Sequence, residues 1–305
     1  MVTRRIAATI AALTLGAGLL GGCGAQSAED GGIVVTTNIL GDVVQEVVGD
    51  EVPVTVLMAP NADPHSFEIS ARQAATVERA SLIVSNGLGL EEGVQTVVDA
   101  AQDSGVAVLP VAEEVRPLTY REGASAGQDD PHFWTDPARV REAVDLIEEQ
   151  VLEHVEAVDA DQLRASAAEY AEQIDELDAW METELASVPE ERRSLVTNHH
   201  VLGYLADRFG YEVIGAVIPS GTTLASPSAS DLDSLSTAVR EAGVRTVFAD
   251  SSQPDKLARV MAEQADLDVE VADLYSESLT AEDEASTYLS MMRANTETIV
   301  AGLRG

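Results

Sequence analysis

Cysteine, basic residues and histidine are all scarce in this 305-residue sequence. The single cysteine, Cys23, excludes an intramolecular disulfide and a zinc site built from several thiolates. Only five histidines are available as nitrogen ligands, and they are His65, His132, His154, His199 and His200. A transition-metal site in this chain would therefore have to combine imidazoles with carboxylates.

Acidic residues far outnumber basic ones. Lys and Arg number 18 against 53 Asp and Glu, which gives a formal net charge of −35 at pH 7. Because phosphate binding relies on Lys and Arg, no nucleic acid is expected as a partner, and an anionic membrane surface would repel the chain. An acidic surface raises the local concentration of cations, although solubility or a salty habitat would explain the same charge.

Residues 1–22 have the organisation of an export signal. Arg4 and Arg5 precede an apolar run, 6–20, which is short for a membrane span because a spanning helix needs about 20 residues. The segment ends in Leu20-Gly21-Gly22-Cys23, the lipobox pattern of a bacterial lipoprotein. We therefore expect an exported chain, cleaved before Cys23 and held at the outer face of the cell membrane by lipid on Cys23. The small and acidic residues 23–32 are predicted to form a flexible tether.

The rest of the chain predicts two α/β lobes joined by a helical linker. Strands alternate with helices in each half, as in parallel sheets with helices on both faces, and the predicted strands are 33–37, 54–58, 81–85, 106–111, 194–198, 212–217, 245–249 and 269–272. Apolar residues at helical spacing predict one long helix over 160–188, beginning after Asp159. We assign 33–136 to the first lobe, 137–190 to the linker and 191–305 to the second lobe, with a helix near 255–265.

The tripeptide Asp-Pro-His occurs twice, ending at His65 and at His132, each time with a phenylalanine within two residues. Proline fixes its own backbone and favours extended geometry in the residue before it, so a stiff loop presents each histidine. A metal ligand needs such a presentation. The same pattern is also typical of an ordinary polar turn, and the repetition makes the two interpretations about equally strong.

Metal-capable side chains follow several predicted strands, and in open parallel sheets ligands bind beyond the carboxyl ends of the strands. His65 and His132 do so in the first lobe, and His199, Asp250 and Asp273 do so in the second. If the lobes face each other, three imidazoles and a carboxylate converge on one cleft, a ligand set that suits tetrahedral zinc. Asp250 is the weaker match and could instead hydrogen-bond a ligand.

The mature chain resembles, over nearly its whole length, the solute-binding lipoproteins of bacterial zinc and manganese ABC transporters. The matching segments are Asp63 to Glu68, Asn86 to Glu91, Asp130 to Pro137, Thr197 to His200 with Gly203-Tyr204, Val247 to Asp250, and the closing helix around Tyr288 to Asn295. The resemblance implies metal ligation by His65, His132, His199 and Asp273, in a cleft between two lobes bridged by a rigid helix. It also implies transfer of the metal to a membrane permease and its ATPase, and we expect a monomer.

Two departures from the family pattern concern the ligands. His200 stands where the family more usually has an acidic residue, so it could compete with His199 for the metal. The segment Ala272-Asp273-Leu274-Tyr275 lacks the proline that commonly follows the aspartate, which leaves Asp250 as a substitute for Asp273. Manganese members tend to have a carboxylate where His199 stands, so this histidine favours zinc over manganese.

Two other functions would use the same residues. A zinc hydrolase would keep one coordination position open for water and have a general base nearby, but the chain has no His-Glu-x-x-His, and four protein ligands would leave no such position. A surface adhesin or metal chaperone could hold the metal as a structural element. Metal that exchanges without unfolding the chain would favour transport.

Overall fold

The computed structural model describes residues 31–156, 158–253, 259 and 269–304. The predicted export signal, Cys23 and nearly all of the predicted tether and of the helix near 255–265 lie outside this part of the chain. Within it, no helix combines the length and the apolar character needed to cross a membrane.

The first lobe is built on a parallel sheet with the strand order β2-β1-β3-β4. Its elements are β1 (Ile33–Val35), α1 (Asn38–Val48), β2 (Val54–Val56), α2 (Ala71–Val77), β3 (Leu82–Ser85), α3 (Glu92–Asp103), β4 (Ala107–Pro110) and the short α4 (Val111–Glu114). Alternate residues of a strand point to opposite faces of a sheet. Thus Ile33 and Val35 join the core under α1, whereas Val34 joins the core under α2 and α3.

The second lobe repeats this plan with the order β6-β5-β7-β8, also parallel. Its elements are β5 (Ser194–Thr197), α7 (Gly203–Phe209), β6 (Glu212–Ala216), α8 (Ala229–Ala242), β7 (Thr246–Asp250), β8 (Glu270–Leu274) and α9 (Tyr288–Arg304). The carboxyl ends of all strands in one parallel sheet lie at the same edge, and the loops at this edge of both lobes border the cleft between them.

Two consecutive helices connect the lobes, α5 (Pro137–His154) and α6 (Ala160–Ala186). The side chain of Asp159 accepts hydrogen bonds from the backbone N–H groups of Asp161 and Gln162, which fixes the start of α6. The helix has 27 residues and is therefore about 40 Å long. Its apolar stripe packs against α1 and α5 and also against α9, so it forms part of the core of both lobes.

The prediction of two α/β lobes and a long connecting helix is confirmed, and the limits assigned to the lobes stay predictions. The predicted strands of the described residues all form, most of them one or two residues shorter than expected. The exceptions matter for the site. Strand β8 continues to Leu274 rather than ending at Ala272, and β7 includes Asp250.

Candidate metal centre

Four buried side chains converge between the lobes: His65, His132, His199 and Glu277. One donor atom of each lies within 4.8 Å of the others. His132 Nε2 is 3.4 Å from His65 Nε2, and Glu277 Oε1 is 3.1 Å from His199 Nε2 and 3.5 Å from His132 Nε2. Ligand bonds of about 2.0–2.1 Å to tetrahedral zinc would separate neighbouring donor atoms by about 3.3 Å. The observed separations are close to this value.

Each Asp-Pro-His forms a turn closed by its own aspartate. Asp63 Oδ1 accepts the backbone N–H of His65 at 3.0 Å, and Asp130 Oδ1 accepts that of His132, also at 3.0 Å. Asp side chains commonly stabilise turns through the backbone two residues on. The two interpretations of the motif therefore do not compete, because the turn itself aims the histidine at the cleft.

Side-chain hydrogen bonds orient two of the imidazoles. His132 Nδ1 is 2.7 Å from Asp130 Oδ1, and His199 Nδ1 is 3.2 Å from Asn198 Oδ1. An Nδ1–H donated to these oxygens leaves the lone pair of Nε2 facing the centre. The hydroxyl of Tyr120 lies 2.9 Å from Asp130 Oδ1 and supports this carboxylate.

The fourth side chain that the structure places with the three histidines is Glu277, whereas the sequence predicted Asp273. Asp273 lies inside β8, where its side chain is exposed and outside the cluster, while Glu277 is 1% exposed. The chain reaches the cleft only after β8 has ended at Leu274. The sequence contained a signal for Glu277, which is a carboxylate shortly after a strand. Recognising that signal requires knowing that the strand ends at Leu274.

Neither Asp250 nor His200 joins the four side chains. Asp250 is buried and accepts hydrogen bonds from Ser252 N at 2.8 Å and from Ser276 Oγ at 2.5 Å, so it fixes the residue before Glu277. His200 lies beside the ring of Tyr120, with 6.2 Å between ring centroids, and its backbone N–H donates to Ser220 O. In this arrangement neither residue contributes a donor atom to the group of four, and a role as substitute ligand stays a prediction.

Burial sets the protonation of the cluster. It lowers the pKa of His65 to about 2 and also lowers the pKa values of His132 and His199, so the imidazoles are neutral and can act as ligands. Burial raises the pKa of Glu277, and the carboxylates of Asp250, Asp63 and Asp130 raise this pKa further. A carboxylate held among other carboxylates and away from water favours a bound cation.

Three atoms at the centre have no hydrogen-bond partner although they are buried. They are His199 Nε2 and both carboxylate oxygens of Glu277. Leaving buried polar atoms unsatisfied costs free energy, and such atoms persist where a ligand or ion satisfies them. The arrangement is therefore complete only with a bound group that accepts lone pairs from nitrogen and oxygen.

A pattern typical of hydrolases has no matching geometry. The segment Gly123 to Gly127 reads Gly-x-Ser-x-Gly, but in an active hydrolase the serine lies on a sharp turn between a strand and a helix. Ser125 instead lies in a turn of the connection between α4 and α5, where its hydroxyl accepts from Gly221 N at 3.0 Å and lies 3.4 Å from Ser220 Oγ.

The family profile described as zinc-uptake complex component A, periplasmic, matches residues 33–302, which span both lobes. The chain belongs to this family. The zinc-binding protein TroA of Treponema pallidum is 29% identical to it, over 99% of this chain and 99% of that protein. The manganese-binding lipoprotein MntA of Bacillus subtilis is also 29% identical, over 93% of this chain and 95% of that protein.

Solved structures agree with this membership. The periplasmic zinc-binding protein TroA from Treponema pallidum matches with a TM-score of 0.81 and 28% identity, over 89% of this chain and 98% of that chain. A manganese-bound periplasmic metal-binding protein from Candidatus Liberibacter asiaticus matches with a TM-score of 0.78 and 25% identity, over 90% of this chain and all of that chain.

Family membership establishes the class of function. Members are the substrate-binding components of ABC importers for divalent metals, act outside the cytoplasm with permease and ATPase components, and are not enzymes. The predicted transport function is confirmed at this level.

Proposed function

We propose that this protein captures zinc between its lobes and delivers it to a membrane permease. His65 and His132 from the first lobe and His199 and Glu277 from the second hold the ion. The observation that carries the proposal is the convergence of three imidazole Nε2 atoms on a carboxylate whose two oxygens are buried without hydrogen bonds. A divalent cation satisfies all of these atoms at once.

The donor set supports zinc over manganese. Three nitrogens and one carboxylate in a group of four suit tetrahedral zinc, whereas manganese prefers more oxygen ligands and six-fold coordination. Carboxylates outside the group compensate the charge of the ion. Asp63, Asp130 and Asp250 are 7%, 2% and 1% exposed, and each hydrogen-bonds a ligand residue or a neighbour of one.

Two features support delivery at the membrane surface. The lipobox at Cys23 is consistent with the lipoprotein names of several relatives, including MntA of Bacillus subtilis. Its lipid would keep the chain, as a monomer, near the permease without a spanning helix. The acidic surface would not itself bind anionic headgroups.

Manganese is the second candidate, supported by relatives whose names describe manganese-binding lipoproteins. The test is equilibrium competition between zinc and manganese on metal-free protein beginning at Gly24, with bound metal quantified. We expect one zinc per chain and displacement of manganese by zinc. His132→Ala or His199→Ala should lower zinc affinity more than about 100-fold, since even the loss of a group supporting a ligand costs 10–100-fold. Stoichiometric binding that survives both substitutions would contradict the proposed site, and preferential retention of manganese would reverse the metal assignment.

A further inference from the structure

Asp63 connects a candidate ligand of the first lobe to two segments of the second lobe. Its Oδ1 atom accepts the backbone N–H of His65 at 3.0 Å. Its Oδ2 atom accepts three hydrogen bonds, from Ser66 Oγ at 2.8 Å, Thr223 Oγ1 at 2.8 Å and Gln253 Nε2 at 2.9 Å. One carboxylate therefore serves both the ligand loop and the contact between the lobes.

The two distant donors come from the cleft edge of the second sheet. Thr223 lies in the loop between β6 and α8, and Gln253 follows the end of β7. Asp63 lies in the loop that follows β2 in the other lobe. Opening the cleft at this point must break both hydrogen bonds, whereas the bond from Ser66 stays within the first lobe.

The four side chains that would hold the metal are almost completely buried in the described part of the chain. His65 is 3% exposed, His132 and His199 are 0% exposed, and Glu277 is 1% exposed. Release therefore requires separation of the elements that cover the centre. Hydrogen bonds to a charged acceptor are stronger than those between neutral groups, so breaking two of them at Asp63 slows that separation.

We propose that Asp63, Thr223 and Gln253 form a latch across the cleft that sets the rate of metal release. Asp63 is a positioning residue, because it acts through the backbone of His65 and through the opposite lobe and does not touch the ion. The inference rests on the proposed function, since it presumes that metal binds at the four candidate ligands. The latch controls how fast the metal dissociates, while the four candidate ligands determine which metal is bound.

The test follows zinc release from the loaded protein, beginning at Gly24, into an excess of a chromogenic chelator. Thr223→Val and Gln253→Leu each remove one donor and keep a similar side-chain volume. Each should release zinc about tenfold faster than the unaltered protein, the effect of losing one hydrogen bond to a charged group. The double variant should be faster than either, and Thr223→Val should add little to Asp63→Asn because its partner is already altered.

Two matched controls separate the latch from local damage. Thr223→Ser keeps the hydroxyl and should release zinc at the unaltered rate. Ser66→Ala removes the third donor to the same oxygen without touching the other lobe and should also leave the rate unchanged. The thermal unfolding of the metal-free variants should match that of the unaltered protein.

Unaltered release rates in both Thr223→Val and Gln253→Leu would overturn the latch. An increase in Ser66→Ala as large as that in Thr223→Val would also overturn it, because the effect would then arise within the first lobe. In both cases the unaltered protein still binds one zinc, so the proposed function stands. Failure of the unaltered protein to bind zinc would instead refute the proposed function.

Discussion

The carboxylates of Asp63 and Asp130 illustrate how single residues prepare this site. Each closes a turn by accepting the backbone N–H of the histidine two residues later. They then diverge in their second role, since Asp130 orients the ring of His132 while Asp63 reaches across to Thr223 and Gln253. The repeated tripeptide is therefore one local structure serving two different purposes.

Glu277 and Asp273 provide a matched pair for testing the fourth ligand. Glu277→Gln removes the charge at the centre and should lower zinc affinity more than about 100-fold, beyond the usual effect of losing a supporting group. Asp273→Asn changes an exposed carboxylate of β8 by the same chemistry and should leave affinity unchanged. Isothermal titration of both variants measures this, and the opposite ranking would restore Asp273 as the ligand.

Asp42 makes the free energy of unfolding depend on pH, and this effect does not involve the metal. It lies in α1 and accepts the backbone N–H of Tyr288, the first residue of α9, at 2.7 Å. Burial raises its pKa from 3.8 to about 6, with a smaller opposing effect from that hydrogen bond. The folded protein therefore holds the proton up to a higher pH than the unfolded chain does, and the free energy of unfolding falls as pH rises through this interval.

The corresponding prediction compares the metal-free protein with Asp42→Asn, which cannot ionise. Between about pH 4 and 7 the stability of the unaltered protein should fall relative to the variant, by on the order of 3 kcal/mol. Urea denaturation across this range measures the difference, and other titrating groups cancel in the subtraction. Parallel stability profiles for the two proteins would show that Asp42 keeps its ordinary pKa.

At the scale of elements, α6 joins the cores of the two lobes. Its apolar stripe includes Ile174, Leu177 and Met181, all with 0% exposure, and it packs against α1, α5 and α9. A helix buried along one face and shared by both lobes resists bending because bending would separate packed side chains. Its role is to fix how the two halves of the site face each other.

Leu177→Ala tests this packing. Removal of a fully buried leucine side chain should lower the free energy of unfolding by about 2–5 kcal/mol, through lost burial and the cavity left behind. Glu176→Ala changes the adjacent exposed residue and should have little effect. Chemical denaturation of both variants measures the contrast, and a small loss in Leu177→Ala would mean that the core closes around the missing side chain.

The elements were largely predictable because their signals are local. Buried strands such as β3 read as continuous apolar runs, and α6 shows a regular apolar stripe with a cap at Asp159. Strand ends are less predictable, since tertiary hydrogen bonds decide them. The sequence predicted that β8 ends at Ala272, which made Asp273 the first carboxylate after the strand, but β8 continues to Leu274 and the next carboxylate is Glu277.

At the scale of the whole molecule, each lobe has an apolar core that needs no metal. Strands and helices of the first lobe enclose one cluster, and those of the second enclose another. Removal of zinc by a chelator should therefore leave a folded chain with a cooperative unfolding transition. Zinc at 100 times its dissociation constant should then stabilise the fold by about 2.7 kcal/mol, because it binds only the folded state.

Thermal unfolding with and without chelator measures this effect. Return of the higher midpoint on re-addition of zinc serves as the control for damage by the chelator. Loss of the cooperative transition on metal removal would contradict an exchangeable cargo and support a structural metal.

The sequence by itself determined the acidic charge, which follows from composition. It also determined the two-lobe plan, the long helix and three of the four converging side chains, because apolar periodicity and stiff Asp-Pro-His turns act over a few residues. It also carried the family resemblance. Only the tertiary structure decided the fourth side chain and the hydrogen bonds from Thr223 and Gln253 to Asp63. Those partners lie 160 and 190 residues from Asp63 in the chain, and packing of the two lobes is what brings them together.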